Sequence, residues 1–248
     1  MSYKQLFWLH IKKSAGKTIR DLLQPYYVQV DRMKKPKTFI QATPEEYNDI
    51  LNNYRVVLGD YQFKRCLFAK KFLYPDSWED IYSFAFSREP VDRCVSMFYY
   101  LYQKDSGSVR NLMRALSRSI NYRKLVLNTS YAFDAFLDQV YEARISDSIY
   151  HPLGIHFTTH TAPMWDDITD LHGNILLKEV FRLENLTEGI NKVFKECGIN
   201  KKLDQSSKEL NKNRGRKGYI PTRNQIKKIK EIYDKDFEIY ESAGHECS

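Results

Sequence analysis

The sequence predicts an α/β protein with a mainly parallel sheet flanked by helices, in a single domain over residues 1–248. Three observations predict it. Short apolar runs alternate with stretches of helical period, the pattern of strand–helix–strand units. Two of those runs, Leu6–Ile11 and Ser83–Ser87, end in turns rich in cationic and hydroxyl side chains, and each turn leads directly into a helix start. The chain is 248 residues long, 42% apolar, with its charges interspersed, so it has the length for a substantial core and the composition of a globular protein.

The elements follow in order. Gln5–Ile11 is aromatic and aliphatic throughout and reads as a buried strand, and Lys17–Leu23 follows as a helix. Arg32–Thr38 is a basic, proline-containing loop. Thr43-Pro44-Glu45-Glu46 is a helix start, with a threonine cap, proline at the first helical position and acids in the first turn. Tyr54–Leu58 reads as a second short strand, stopped by Gly59-Asp60, and Ile81–Ser87 as a third. Pro90 opens a helix through Met97, Phe98, Tyr99 and Tyr100. Residues 104–150 are mainly helical in period, whereas Ile149–Met164 is rich in histidine and lacks a regular period. Ile175–Leu183 reads as a fourth strand, with a helix from Glu184 to Cys197-Gly198. Residues 199–218 are a basic loop, and Thr222–Glu241 is one helix with an apolar stripe through Ile226, Ile229, Tyr233, Phe237 and Tyr240.

The net charge of +8 points to an anionic partner: a nucleic acid, a membrane surface, or a phosphorylated or sulfated small molecule. No apolar run reaches membrane length and no secretory signal is visible. The four cysteines, Cys66, Cys94, Cys197 and Cys247, show no metal-ligand spacing, and the sequence predicts reduced thiols, a cytoplasmic location and no metal.

Most of the chemistry lies in two turns. In the first, Lys12-Lys13-Ser14-Ala15-Gly16-Lys17-Thr18, small residues let backbone N–H groups approach a phosphate, the lysines add charge, and Ser14 and Thr18 add hydroxyl donors. Gly16-Lys17-Thr18 matches the end of a Walker A loop, but Ile11 stands where that loop carries its leading glycine. In the second, Arg88 closes a strand where its guanidinium can fork onto a phosphate, and Ser96 falls about two turns into the next helix, within reach of the same group. The plainer alternatives are an exposed helix start for the first turn and an Arg88 ion pair with Glu89 or Asp92 for the second.

His10-Ile11-Lys12-Lys13-Ser14-Ala15-Gly16 resembles the His-Ile-Pro-Lys-Thr-Gly-Gly signature of carbohydrate sulfotransferases of the heparan sulfate 2-O-like group (sulfotransferase family 2). Arg88-Glu89-Pro90, Arg93, Ser96 and Tyr99 resemble the same family's 3′-phosphate segment, Phe181–Leu186 its late strand-to-helix segment, and Tyr233–Tyr240 its C-terminal helix. The likeness covers most of the chain and is sharp at the loops of residues 10–18 and 84–96. It departs from the family at Lys12, where the signature has proline, and at Lys17, where it has threonine.

What the resemblance implies is a P-loop-type sheet and a metal-independent transfer of sulfate from 3′-phosphoadenosine 5′-phosphosulfate (PAPS), leaving 3′,5′-ADP (PAP). It assigns Lys13 to the bridging oxygen and sulfuryl group, residues 12–18 to the 5′-phosphosulfate, and Arg88 with Ser96 to the 3′-phosphate. It places Arg216, Lys217 and Gly218 in a basic loop over the nucleotide, where the plainer alternative is a solvated loop. Residues 104–164 would shape the acceptor site for a hydroxyl or amine on a glycan, natural product or other small molecule.

The acceptor must lose a proton to a general base. The family's Gly-His pair reads Gly59-Asp60 here, which makes Asp60 one candidate, although an exposed aspartate with a pKa of about 4 is a weak base unless desolvated. His156 and His160 are the rivals with the better-matched pKa. His10 reads as a packing residue. Two other functions remain open on the sequence: a P-loop kinase built on Gly16-Lys17-Thr18 with Asp60 holding a metal, and a basic nucleic-acid-binding protein using the clusters at Lys34–Lys37, Lys201–Lys217 and Lys227–Lys230. The second lacks an aromatic-basic RNA-binding signature, so no nucleic-acid partner is expected.

Overall fold

The computed structural model describes residues 3, 5–36, 38–102, 128–145, 152–204 and 219–243. In chain order the elements are β1 (Gln5–Leu9), α1 (Gly16–Leu22), α2 (Pro44–Asn53), α3 (Arg65–Phe68), β2 (Ile81–Ser87), α4 (Pro90–Tyr102), α5 (Thr129–Ile145), α6 (Gly154–Thr161), α7 (Met164–Ile168), β3 (Glu179–Arg182), α8 (Leu186–Glu196), α9 (Arg223–Ile232) and α10 (Asp234–Ser242). Contacts divide the chain into two compact units. The first comprises residues 1–88, 164–214 and 239–248, and the second residues 89–163 and 215–238. The basic loop carrying Arg214, Arg216, Lys217 and Gly218, and residues 103–127 of the expected acceptor region, lie outside the described residues.

The first unit is built on a parallel sheet in the order β1-β2-β3, with Phe7 opposite Ser83, Leu9 opposite Ala85 and Ser87 opposite Arg182. Alternate side chains point to opposite faces. Phe7, Leu9, Ile81 and Ala85 enter a core with Ile50 and Leu51 of α2, Cys66 and Phe68 of α3, and Met164 and Ile168 of α7. Leu6, Trp8, Tyr82, Phe84 and Phe86 face Ile19 of α1, Leu23 just beyond it, and Ile190, Val193 and Phe194 of α8. Both faces are covered, so the strands read as continuous apolar runs rather than as an alternation. All seven residues of β2 are buried, and each large apolar side chain so buried contributes about 1.5–3 kcal/mol.

The α2 start forms as the sequence predicts. Thr43 Oγ1 accepts from the Glu46 N–H at 3.3 Å, and the Glu46 carboxylate accepts from the Thr43 N–H at 2.9 Å. The strand expected at Tyr54–Leu58 does not form. Its backbone groups turn instead to a side chain, the Leu58 N–H donating to Gln62 Oε1 at 3.0 Å and the Val56 carbonyl accepting from Gln62 Nε2 at 3.3 Å, while Asn48 and Asn52 of α2 donate to the Trp8 carbonyl of β1 at 3.1 and 2.6 Å. The late strand is shorter than expected, covering Glu179–Arg182 only.

The second unit is helical. Phe98 of α4 packs edge-on against Phe133 of α5, and Phe136 against Phe157 of α6, in a core completed by Ile229 and Tyr233. Buried Arg93 of α4 pairs with buried Asp236 at 2.9 Å and donates to the Ala162 carbonyl at 2.5 Å, a structural role. Two expectations are corrected in this unit. Residues 154–161 form helix α6 although no apolar period marks it, because threonines fill buried positions and return their hydroxyl protons to the preceding turn: Thr161 donates to Phe157 O at 2.9 Å and Thr159 to Ile155 O at 2.6 Å. The final helix is two helices, α9 and α10, broken at Tyr233, whose buried ring is held by its hydroxyl on the Thr161 carbonyl at 2.8 Å.

Candidate active site

β1 and β2 are parallel neighbours, so the turns that leave their carboxyl ends come to one edge of the sheet, where ligands of such sheets bind. The turns meet there. Arg88, the residue after β2, donates from Nη1 to the Lys13 carbonyl at 3.4 Å. Among the described residues no carboxylate pairs with Arg88. Glu89 instead accepts from the Asp92 N–H at 2.7 Å and caps the start of α4.

The turn between β1 and α1 is strained. Lys13 (φ 71°) and Ala15 (φ 54°) both lie in the left-handed region, one on either side of Ser14. Each costs about 1–2 kcal/mol in a non-glycine residue, and such strain gathers at ligand clamps. Ser14 is 1% exposed, and its hydroxyl has no hydrogen-bond partner among the described residues. A buried hydroxyl left in this state costs about 1–3 kcal/mol. Glycine at position 16 is enforced by close approach, since a Cβ there would lie 1.8 Å from Nε2 of His10.

α2 fixes the start of this turn through Asn52. Its Oδ1 accepts from the His10 N–H at 2.8 Å, and its Nδ2 donates to the Trp8 carbonyl and to the Tyr27 hydroxyl. The Asn52 carbonyl accepts from Nδ1 of His10 at 3.0 Å and from the Lys12 ammonium. α3 fixes it from another side. Arg65 is held bidentately by Asp167 of α7 at 2.7 and 2.6 Å, and its Nη2 also donates to the His10 carbonyl at 3.1 Å.

The electrostatics follow from this packing. Burial, then the charge of Lys12, then those of Arg65 and Lys13, hold His10 well below its ordinary pKa despite its hydrogen bond to Asn52. The ring is therefore neutral. Because a carbonyl can only accept, Nδ1 carries the proton. Burial first, and Arg65 second, push the Lys12 ammonium down to about 7 against the opposing pull of Asp167. Three cations, Lys12, Arg65 and Lys13, thus act on the His10 ring. An anion with acceptor oxygens, such as a phosphate or phosphosulfate, fits beside them because it would accept a hydrogen bond from the Ser14 hydroxyl.

The structure therefore brings together Lys12, Lys13, Ser14, Gly16 and Arg88. Ala15 and Thr18 are half-buried beside them, and Lys17 is exposed on α1. Asp60 is exposed in a short 3-10 turn, Gly59–Tyr61. Ser96 is half-buried on α4 of the second unit. In that unit His156 of α6 packs edge-on against His160, ring centroids 4.2 Å apart, and Tyr100 stacks on His160 at 4.9 Å. The sequence reading missed Asn52, Arg65 and Asp167. Asn48 and Asn52 left a trace, being amides four apart on one face of an expected helix. Arg65 and Asp167 left none.

A parallel sheet that delivers a strained, cation-rich turn and an arginine to one edge defines an α/β protein with a cation-rich loop at the carboxyl end of its strands. A family model described as the sulfotransferase family matches residues 2–241, and the chain belongs to that family. No curated protein and no solved structure matches it. Among the described residues no helix is long and apolar enough to cross a membrane, and no group of three or more side chains is arranged to hold a metal ion.

Proposed function

We propose that this sulfotransferase takes its sulfuryl group from PAPS and transfers it to a hydroxyl or amine of a small-molecule or glycan acceptor. The observation that carries the proposal is the Arg88–Lys13 contact, which sets the two nucleotide-type turns side by side at the ends of adjacent parallel strands, in a chain of this family.

PAPS supplies the activated sulfate; this chain's residues bind and orient it. Lys13 places positive charge where the leaving oxygen gains negative charge. Ser14, its hydroxyl otherwise without a partner, donates to the 5′ end, while Gly16 lets the turn close against His10. Lys12, Ala15, Lys17 and Thr18 complete the 5′ side. Arg88 grips the 3′-phosphate, the role the family resemblance implies for it. The P-loop character of the sheet belongs to the same proposal. Asp60 and His156 are the two candidates for the acceptor's base.

Thermal stabilisation by PAP against 5′-AMP tests the donor assignment. PAP should stabilise more, and Lys13→Ala and Arg88→Ala should each weaken PAP binding by about tenfold or more, the effect of losing one charge-assisted contact. Equal stabilisation by the two nucleotides, or unchanged affinity in both variants, refutes the assignment. PAPS-dependent addition of sulfate across a panel of glycans and natural products, read by mass, identifies the acceptor.

A further inference from the structure

We propose that a cavity at the start of β1, separate from the nucleotide turn, binds a small primary ammonium ion with an apolar body. The nucleotide turn follows Leu9 at the carboxyl end of β1, whereas the cavity lies at the other end, beside Gln5 and Leu6. α2 runs alongside, with Glu45 of its first turn at the cavity and Asn52 of its last turn at His10. The ammonium site does not depend on the donor assigned above.

The cavity encloses about 220 Å³. An apolar cavity of about 150 Å³ takes a benzene ring, so this one has room for a ring and a short aminoalkyl arm. Its walls are mainly apolar: Leu6 and Tyr27 are buried, while Tyr26 and Val28 keep 41% and 44% of their surface open. A ligand there would take that surface out of water. Two polar groups decide its kind. Glu45 is the one charged residue among the described residues that line the cavity. Gln5 Nε2 donates to Glu45 Oε1, and among the described residues no donor meets Oε2. Asn48 is only 2% exposed. Its Nδ2 is committed to the Trp8 carbonyl at 3.1 Å, whereas its Oδ1 meets no donor among the described residues and is not sealed from solvent. Both oxygens can only accept. A carboxylate and an amide oxygen set among apolar walls call for a cation that donates hydrogen bonds, and a primary ammonium has three protons to give. An anion of the same shape would be repelled by Glu45, and a neutral alcohol brings one proton. Cys197, also on the wall, adds no competing charge, since burial first and Glu196 second push its thiol up to about 11. The Tyr26 ring shows the same preference in its contact with the Lys201 ammonium at 6.0 Å.

The experiment is titration of phenethylamine into the whole isotope-labelled protein at about pH 7, where an alkylamine is charged as lysine is, followed by backbone amide NMR shifts. Saturable shifts at Leu6, Glu45 and Asn48 are expected, with a dissociation constant on the order of 1 mM for a ligand of this size. Phenethyl alcohol, the neutral isostere, and phenylacetate, the anion, should bind at least about tenfold more weakly. Glu45→Gln should weaken phenethylamine binding by about tenfold or more, the effect of losing a charged hydrogen-bond partner, and should leave phenethyl alcohol unchanged. Val28→Phe, which puts bulk at the cavity, should abolish the shifts by phenethylamine and by the alcohol. The proposal is overturned by the absence of saturable shifts at about ten times the expected dissociation constant, by equal affinity for phenethylamine and phenethyl alcohol, or by unchanged phenethylamine affinity in Glu45→Gln. Shifts centred on the nucleotide turn in place of Leu6, Glu45 and Asn48 overturn it as well. Val28→Phe keeps the test open should Glu45→Gln fold poorly.

Discussion

Replacing Gly16 with alanine should destabilise this protein even though helix propensity favours the change. Gly16 is the first residue of α1, where alanine is preferred over glycine by up to about 1 kcal/mol. Against that, the new methyl carbon would lie 1.8 Å from His10 Nε2 and 2.2 Å from Cε1. The ring cannot yield without loss, because it stacks on Trp8 at 5.3 Å and donates to Asn52 O. Swinging it out forfeits a hydrogen bond of about 1 kcal/mol and an aromatic contact of about 0.5–1.5 kcal/mol, and it leaves the carbonyl partly unmet, a further 1 kcal/mol or so. The net expectation is a loss of about 1.5–2.5 kcal/mol, read as a lower urea midpoint at unchanged slope. A double-mutant cycle isolates the cause. In a His10→Ala background the methyl has room, so Gly16→Ala should become neutral or stabilising, giving a coupling of about 2 kcal/mol. If Gly16→Ala stabilises wild type, or costs the same in both backgrounds, the close approach is not what fixes glycine here.

Two further outcomes follow from the charges behind the turn. Asp167→Asn leaves Arg65 buried without its counter-charge and should cost about 3–5 kcal/mol in urea unfolding, whereas removing the exposed pair by Lys235→Ala should leave the urea midpoint nearly unchanged; similar shifts for the two would show that the buried pair does not anchor the turn. Lys12 and His10 both have folded pKa values below their unfolded ones, so the unfolded chain binds more protons. Stability of the nucleotide-free protein should therefore rise from about pH 7 toward pH 10 and fall below about pH 6.5, by at most about 1.4 kcal/mol per unit for each group. Urea midpoints across that range check this, and the rise above pH 7 should disappear in Lys12→Met.

Much of the fold was legible because its signals are local. β1, β2, the capped start of α2 and the Pro90 start of α4 each declare themselves within a few residues, through an apolar run, a threonine cap or a proline. What failed depended on hydrogen-bond partners. Tyr54–Leu58 has the composition of a strand, but its backbone groups at Val56 and Leu58 bond to the Gln62 side chain instead of to a neighbouring strand. α6 hides because threonine, polar by composition, can be buried once its hydroxyl is returned to its own helix. Tyr233 breaks the last helical stretch, and its hydroxyl partner, the Thr161 carbonyl, lies 72 residues away. The site divides along the same line. Lys13, Ser14 and Gly16 form one contiguous segment and Arg88 closes an obvious strand, so all were readable. Asn52 and Arg65 act on His10 from 42 and 55 residues away, and Asp167 pairs with Arg65 across 102, separations no local pattern encodes.

Those distant groups also explain how an unusual turn sequence is tolerated. A proline before the loop lysine would fix φ and carry no charge. Lysine at position 12 brings a cation that must be accommodated beside Arg65 and Lys13. The Asn52 carbonyl accepts from its amine, and the neutral His10 ring adds no charge of its own. Burial first and the Arg65 charge second depress the Lys12 pKa, and in the proposed site that same Arg65 charge would favour a phosphate, so stability without nucleotide and affinity for it should trade against each other at this turn.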